Sequence, residues 1–145
     1  MTNVVLVGFK RSPFTIANKG LLAGVRPEDI LSQVINDLIK TTNINKDDIE
    51  DIIAGCAYPE GAQGYNIAKI VSFMTGMPEH VGGMTINRWC GSSMQAIHSA
   101  AGAISMNAGK VFICCGIESM TSVPINGLNY SPHPELLKDQ PNVYL

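Results

Sequence analysis

The chain has 145 residues, a length that suits one domain with a fair core, and its 46% hydrophobic and 15% charged content is that of an ordinary globular protein. A formal charge of −2 gives no basic field to attract nucleic acid. No apolar run approaches the roughly 20 residues that cross a bilayer, and Met1 to Gly8 lacks the leading basic residues of a secretory signal.

Val4-Val5-Leu6-Val7, ended by Gly8, predicts a first strand buried on both faces. A loop punctuated by Pro13, Gly20 and Gly24 follows. Pro27 then stands where a first helical residue is favoured, with Glu28 and Asp29 at the positive end of the helix dipole. Ile30, Leu31, Val34, Ile35, Leu38 and Ile39 form an apolar stripe, so an amphipathic helix is expected. Ile52-Ile53-Ala54-Gly55 predicts a second strand over Asp51 to Cys56. A second helix is expected over Gly64 to Met74, with Ile67, Ile70, Val71 and Met74 on one face and Gly76 and Pro78 ending it. Val81 to Asn87 predicts a third strand and Cys90 to Ala108 a third helix, stopped at Gly109. Val111 to Cys115 predicts a fourth strand within Lys110 to Gly116. Alternating strands and helices with continuous apolar strands imply an α/β fold with a mainly parallel sheet. Residues 1–120 carry this alternation. Residues 121–145, broken by Pro124, Gly127, Pro132, Pro134 and Pro141, begin an irregular loop region without a closing element.

Cysteines lie at positions 56, 90, 114 and 115, without Cys-x-x-Cys spacing, so no zinc site is expected and a reducing, cytoplasmic setting is the natural one. Cys114 and Cys115 are expected in the core. Cys90 is different, because it falls on the turn from third strand to third helix. Sites in parallel α/β sheets collect at the carboxyl ends of strands, a helix N-terminus favours a thiolate, and Gly91 leaves room for a substrate. Met94, Ile97, Ala101, Ile104 and Ala108 form an apolar stripe on that helix, and Ala96, Ser99, Ala100, Gly102 and Ala103 cover its other faces. Such a helix is expected deep in a domain, presenting Cys90 from a rigid base. No histidine suits the role of its base. His98 lies about 12 Å along the same helix, His80 at the far end of the third strand, and His133 in the irregular tail.

Four blocks carry a resemblance. Arg11-Ser12-Pro13-Phe14 follows the first strand, and Gly55-Cys56-Ala57-Tyr58-Pro59-Glu60-Gly61-Ala62-Gln63-Gly64-Tyr65-Asn66-Ile67-Ala68 spans the second. Thr85-Ile86-Asn87-Arg88-Trp89-Cys90-Gly91-Ser92-Ser93-Met94-Gln95-Ala96 surrounds the cysteine, and Cys115-Gly116-Ile117-Glu118-Ser119-Met120 ends the fourth strand. In this order they resemble the thiolases over essentially the whole chain, and are most similar to the N-terminal portion of degradative 3-ketoacyl-CoA thiolases. The resemblance implies a thiolase-like half-fold, with residues 1–120 as the N-terminal half-domain: a mainly parallel, mixed sheet with helices on both faces, incomplete after the fourth strand. It implies that Cys90 accepts the acyl group of a 3-ketoacyl-CoA as a thioester while acetyl-CoA leaves, and that free CoA then removes the acyl group, as in fatty-acid β-oxidation. The Cys90 backbone N–H would help hold the oxyanion.

CoA is then a co-substrate, no cofactor is held permanently, and the residues that bind CoA are not readable. Acyl-CoA and CoA are the expected partners, with a homodimer or homotetramer and a fatty-acid oxidation complex in prospect. An acetoacetyl-CoA thiolase (acetyl-CoA C-acetyltransferase) is the rival reading, and Cys-Gly-Ser-Ser-Met-Gln with Pro-Glu-x-x-Gln-Gly favours the degradative type. The family's Gly-His-Pro histidine, Cys-x-Gly-Gly cysteine and Asn-Glu-x-Phe region do not occur here. A chain inactive by itself, a truncated remnant or an assembly subunit, is therefore a further expectation. Ser12 replaces the family's Thr and Cys115 its first Gly, while Trp89 stands where another apolar residue is usual and is placed to shape an acyl pocket or simply to pack.

Overall fold

The structure is a computed structural model, and it describes residues 3–144. The elements in chain order are α1 (Pro27–Thr42), β1 (Asp51–Gly55), α2 (Ile67–Met74), β2 (Gly82–Ile86), α3 (Ser92–Ser105), β3 (Phe112–Gly116) and α4 (Pro134–Asp139). Short 3-10 turns occupy Lys46–Asp48, Gly61–Gln63 and Pro141–Tyr144. The strands form one sheet in the order β2-β1-β3, with both pairings parallel. Asp51 is level with Gly82 and Phe112, and Gly55 with Ile86 and Gly116, so all three carboxyl ends finish at one edge.

Local chemistry explains the element boundaries. Pro27 opens α1 with Glu28 and Asp29 in the first turn, Lys40 lies in the last, and Asn43 closes the helix in the left-handed region at φ 53°. Asn66, at φ 56°, precedes α2; its side chain donates to the Gly83 carbonyl at 2.7 Å and accepts from the Thr85 hydroxyl at 2.7 Å, which ties α2 to β2. The Lys46 ammonium caps the end of α2 by donating to the Thr75 carbonyl at 2.6 Å.

Alternation along β1 divides the core between the two faces of the sheet. Ile52 and Ala54 face α2 and α1, joining Leu31, Ile35, Ile67 and Val71. Ile53 faces α3, where it meets Ala96 and Ala100. Helices therefore cover both faces, as expected. Each fully buried isoleucine contributes about 1.5–3 kcal/mol relative to an exposed one, and Ile35, Ile52 and Ile67 are all at most 1% exposed.

Three expectations need correction. The strand predicted at Val4–Val7 does not form. Val5, Leu6 and Val7 are 73–77% exposed, and the segment runs as irregular chain beside the end of α1, where Lys10 pairs with Asp37 at 2.7 Å. An extended segment without a hydrogen-bonded neighbour gains none of the ladder that makes a strand. The sheet is consequently three-stranded and wholly parallel among the described residues, rather than four-stranded and mixed. Nor is α3 enclosed on several sides. Its packed face is Ser92, Ala96 and Ala100, while Met94 is 63% and Ile97 48% exposed. The small residues face the sheet because they let the helix axis come close to it, and the larger stripe is turned away. The tail is also less irregular than its prolines suggest, since Pro134 occupies the first turn of α4 and the His133 Nδ1 accepts from the Leu136 N–H at 3.3 Å.

Candidate active site at the carboxyl edge of the sheet

Close approach of α3 to the sheet edge creates the site. A Cβ at Gly55 would stand 2.4 Å from the Ser92 carbonyl carbon and the Ser93 nitrogen, and a Cβ at Gly116 would collide with the Ser93 hydroxyl. Glycine at the last residue of β1 and of β3 therefore lets the first turn of α3 sit on the strand ends. The residues before that turn, 87–91, are carried out over the edge.

That turn is held by side chains. The Asn87 Oδ1 accepts from the Trp89 N–H at 2.9 Å. The Ser92 hydroxyl, 3% exposed as a residue, accepts from the Arg88 N–H at 2.8 Å and donates to the Trp89 carbonyl at 2.5 Å. Arg88 donates through Nη1 to Gln95 on the first turn of α3. Within the turn Trp89 is forced to φ 48°, unusual for a bulky residue. Its ring meets Tyr58 edge-on, with centroids 5.5 Å apart and planes at 67°. Such strain persists only where surrounding contacts over-determine it, and it clusters at functional sites.

Cys90 lies on this turn with its side chain exposed. Its neighbours' amides are engaged, Gly91 with the Arg88 carbonyl and Ser92 with the Trp89 carbonyl, both at 3.0 Å. Among the described residues no protein acceptor lies in hydrogen-bonding geometry to the Cys90 N–H itself. The other cysteines are of another kind. Cys56 is 1% exposed, and burial, then the neighbouring Glu118 carboxylate, pushes its thiol up to about 12. Burial, followed by Cys114, pushes Cys115 up to about 12, and burial, followed by Asp51, also raises Cys114. As expected, these are packing thiols: Cys114 contacts the Ala96 carbonyl and Cys115 the Ile53 carbonyl.

None of the histidines joins Cys90. His98 is exposed midway along α3, His80 is exposed before the amino end of β2, and His133 caps α4. Sequence reasoning missed a set of long-range contacts beside the turn. Glu118, just past β3, accepts from the Ala57 N–H at 2.6 Å and from Gln63 Nε2 at 2.9 Å. Gln63 is fully buried and also donates to the Tyr58 carbonyl at 2.8 Å. Asn87 Nδ2 reaches the Ala57 carbonyl at 2.8 Å. The only sequence signal for these contacts was that Gln63, Asn87 and Glu118 each fall within a resembling block.

The assembly is a parallel α/β layer with an exposed cysteine thiol on a strained strand-to-helix turn, the arrangement of a nucleophile at the carboxyl edge of a sheet. Comparison with known proteins narrows this class. Residues 4–140 match the family described as thiolase, N-terminal domain. A 3-ketoacyl-CoA thiolase of Aeromonas salmonicida (strain A449) is 39% identical over 134 residues, covering 91% of this chain and 35% of that protein. One from Bacillus subtilis (strain 168) is 37% identical over 145 residues, covering 100% of this chain and 37% of the relative. The crystal structure of the Bacillus anthracis acetyl-CoA acetyltransferase superposes with a TM-score of 0.78 at 32% identity, over 84% of this chain and 30% of that one. The chain belongs to the thiolase family, an acyltransferase family, and spans about a third of the length of the curated relatives it matches.

Proposed function

We propose that this chain supplies the acyl-accepting nucleophile of a 3-ketoacyl-CoA thiolase, and that Cys90 is that nucleophile. The observation that carries the reading is the exposed Cys90 thiol on a side-chain-braced turn, with its own N–H unengaged, inside the block most similar to the family. In the reaction the Cys90 thiolate bonds to the 3-keto carbon, and the carbonyl electron pair moves onto oxygen. A donor such as the Cys90 N–H lowers the energy of that oxyanion, typically by a few kcal/mol. The oxyanion collapses, the bond between carbons 2 and 3 breaks, and its electron pair leaves with the acetyl-CoA enolate, which takes up a proton. The acyl group remains on Cys90 as a thioester until the thiolate of CoA attacks it, forming a shortened acyl-CoA and freeing Cys90.

No base or acid among the described residues stands beside Cys90, and the family's remaining motifs do not occur in these 145 residues. On this reading the proton transfers fall to groups outside these 145 residues. Acyl-CoA and CoA are the chain's ligands on this reading. Assembly into a homodimer or homotetramer, a place in β-oxidation and a reducing, cytoplasmic setting belong to the same proposal. The rival substrate is acetoacetyl-CoA, favoured by the likeness to the Bacillus anthracis acetyl-CoA acetyltransferase.

The test is intact-mass analysis after mixing the chain with 3-ketooctanoyl-CoA or with acetoacetyl-CoA. An acyl adduct that maps to Cys90 and vanishes in Cys90→Ser supports the reading, and which of the two substrates yields it faster separates them. An adduct on another cysteine, or the same yield in Cys90→Ser, refutes it. Sustained thiolysis by the 145 residues alone, abolished by Cys90→Ala, would contradict the inference that proton transfer comes from elsewhere.

A further inference from the structure

We infer that Glu118 is a positioning residue that fixes the Cys90 turn from the far side of the sheet edge, through Ala57 and Asn87. The inference rests on Cys90 being the nucleophile proposed above.

The path is continuous. The Glu118 carboxylate accepts from the Ala57 N–H at 2.6 Å. The carbonyl of the same Ala57 accepts from Asn87 Nδ2 at 2.8 Å. The other end of that amide, Asn87 Oδ1, accepts from the Trp89 N–H at 2.9 Å, one peptide from Cys90. A second path runs beside it. Glu118 accepts from Gln63 Nε2 at 2.9 Å, Gln63 donates to the Tyr58 carbonyl at 2.8 Å, and the Tyr58 ring meets the Trp89 ring. Both paths leave one carboxylate and end on Trp89, the residue held at φ 48°.

The rest of the cluster fits a fixed strut. Gln63 is fully buried, and its Oε1 takes the Ser119 N–H, so the segment after β3 is tied back at two successive residues. Cys56, kept as a neutral thiol, lies with its Sγ 3.9 Å from Glu118 Oε1 and can donate to it. Charge-assisted hydrogen bonds of this kind are about twice as strong as neutral ones. The strut therefore opposes relaxation of Trp89 toward ordinary backbone angles, which would swing the neighbouring Cys90. Reactive groups must be held closely, because a misplacement of about 1 Å costs about 100-fold in rate.

Trp89 is the single tryptophan, so the fast component of its time-resolved fluorescence anisotropy reads motion of this turn apart from tumbling or association of the whole chain, and needs no acyl transfer. Failure of the nucleophile reading therefore leaves the measurement intact, and failure of the strut leaves the Cys90 adduct test intact. In the 145-residue chain, Glu118→Ala is expected to lower Trp89 anisotropy toward the unfolded value with far-UV circular dichroism retained. Asn87→Ala, which cuts only the path through Ala57, is expected to lower it as well, and the double variant to lose no more than Glu118→Ala alone, which removes both paths. Glu118→Gln keeps a side chain of the same length with an oxygen for the Ala57 N–H but loses the charge and the acceptor for Gln63, and is expected to lower the anisotropy less than Glu118→Ala. If Glu118→Ala does not fold, Glu118→Asp decides: it keeps the charge and withdraws the oxygen by one methylene, so anisotropy is expected to fall. Unchanged anisotropy in a folded Glu118→Ala, or in Glu118→Asp where that variant decides, overturns the inference. So does additive loss in the double variant with Asn87→Ala.

Discussion

Chemistry at single residues separates Cys90 from the other thiols. Cys56 and Cys115, both pushed up to about 12 chiefly by burial, stay protonated near neutrality, and Cys114 is shifted in the same direction. Thiolate is the form that alkylates. Iodoacetamide at pH 8 is therefore expected to modify Cys90 first and the other three only after denaturant is added, as read by peptide mapping. Modification of Cys56 or Cys115 in the folded chain at a rate equal to that of Cys90 contradicts this assignment. The same shifts have a stability consequence. The folded state holds these protons more tightly than the unfolded state, whose thiols titrate near 9.0. Their contribution is thus fully present below about pH 9 and is lost as pH rises toward 12. Asp51 follows the same sign at low pH. Burial raises its carboxyl above 3.8 against the opposing pull of the Ile52 N–H and Lys69, and its Oδ1 is buried with no hydrogen-bond partner. The charged form is then the unfavourable one in the fold, and stability is lost as pH rises through the folded pKa. Asp51→Asn, which carries no charge to desolvate, is expected to raise the denaturant midpoint at pH 7 and to lose that advantage at pH 3. A lower midpoint at pH 7 would show that the attraction of Lys69 outweighs burial.

At the scale of elements, the close seating of α3 on the strand ends is the feature that makes a site. Gly55→Ala places a methyl 2.4 Å from helix backbone, which has no flexible side-chain end to yield, so a loss of about 1–3 kcal/mol is expected. Gly102, within the same helix, has open space where a methyl would stand, with no atom within 4 Å, so Gly102→Ala is expected to stabilise by about 0.5–1 kcal/mol. Chemical denaturation of the two variants checks both signs, and a neutral or stabilising Gly55→Ala would mean that the seating of α3 on the strand end is not tight enough to matter. This seating also marks where the sequence was legible. Pro27, Gly76 and the apolar runs at Ile52 and Ile113 are local signals, and the elements they predict are present. The Cys90 turn was legible for the same reason, since strand, cysteine, glycine and small-residue helix are consecutive. Val4–Val7 misled because a run of β-branched and aliphatic residues states a preference for extended chain but not the presence of a neighbour to pair with. The face of α3 misled because hydrophobicity ranks Met94 and Ile97 above Ala96 and Ala100, whereas closeness to Gly55 and Gly116 selects the smaller side chains. Glu118 and Asn87 could not be connected from sequence at all, because each bonds to Ala57, 61 and 30 residues away.

For the whole molecule, the decisive property is how much apolar surface stays uncovered. Leu6, Phe9, Phe14 and Leu21 are 77–95% exposed, and the outward stripe of α3 adds Met94 and Ile97. The segment from Leu6 to Lys10 and the end of α1 enclose an open groove of about 540 Å³ lined mostly by apolar atoms. Because β1 is central, β2 and β3 each leave one edge without a partner among the described residues. Unpaired edges and contiguous apolar surface both promote association. The chain is therefore expected to self-associate at micromolar concentration and to bind a hydrophobic dye while folded. Replacing Val5 and Leu6 by lysine should reduce both effects and shift stability by no more than about 0.5 kcal/mol, since exposed side chains away from special contacts contribute little. Sedimentation velocity and thermal melting together decide the matter. A parent chain that sediments as a single monomer and melts cooperatively would show that these surfaces do not drive association. A large fall in melting temperature in the lysine variant would show instead that Val5 and Leu6 are packed in solution, and that the irregular path beside α1 gives way to a paired strand.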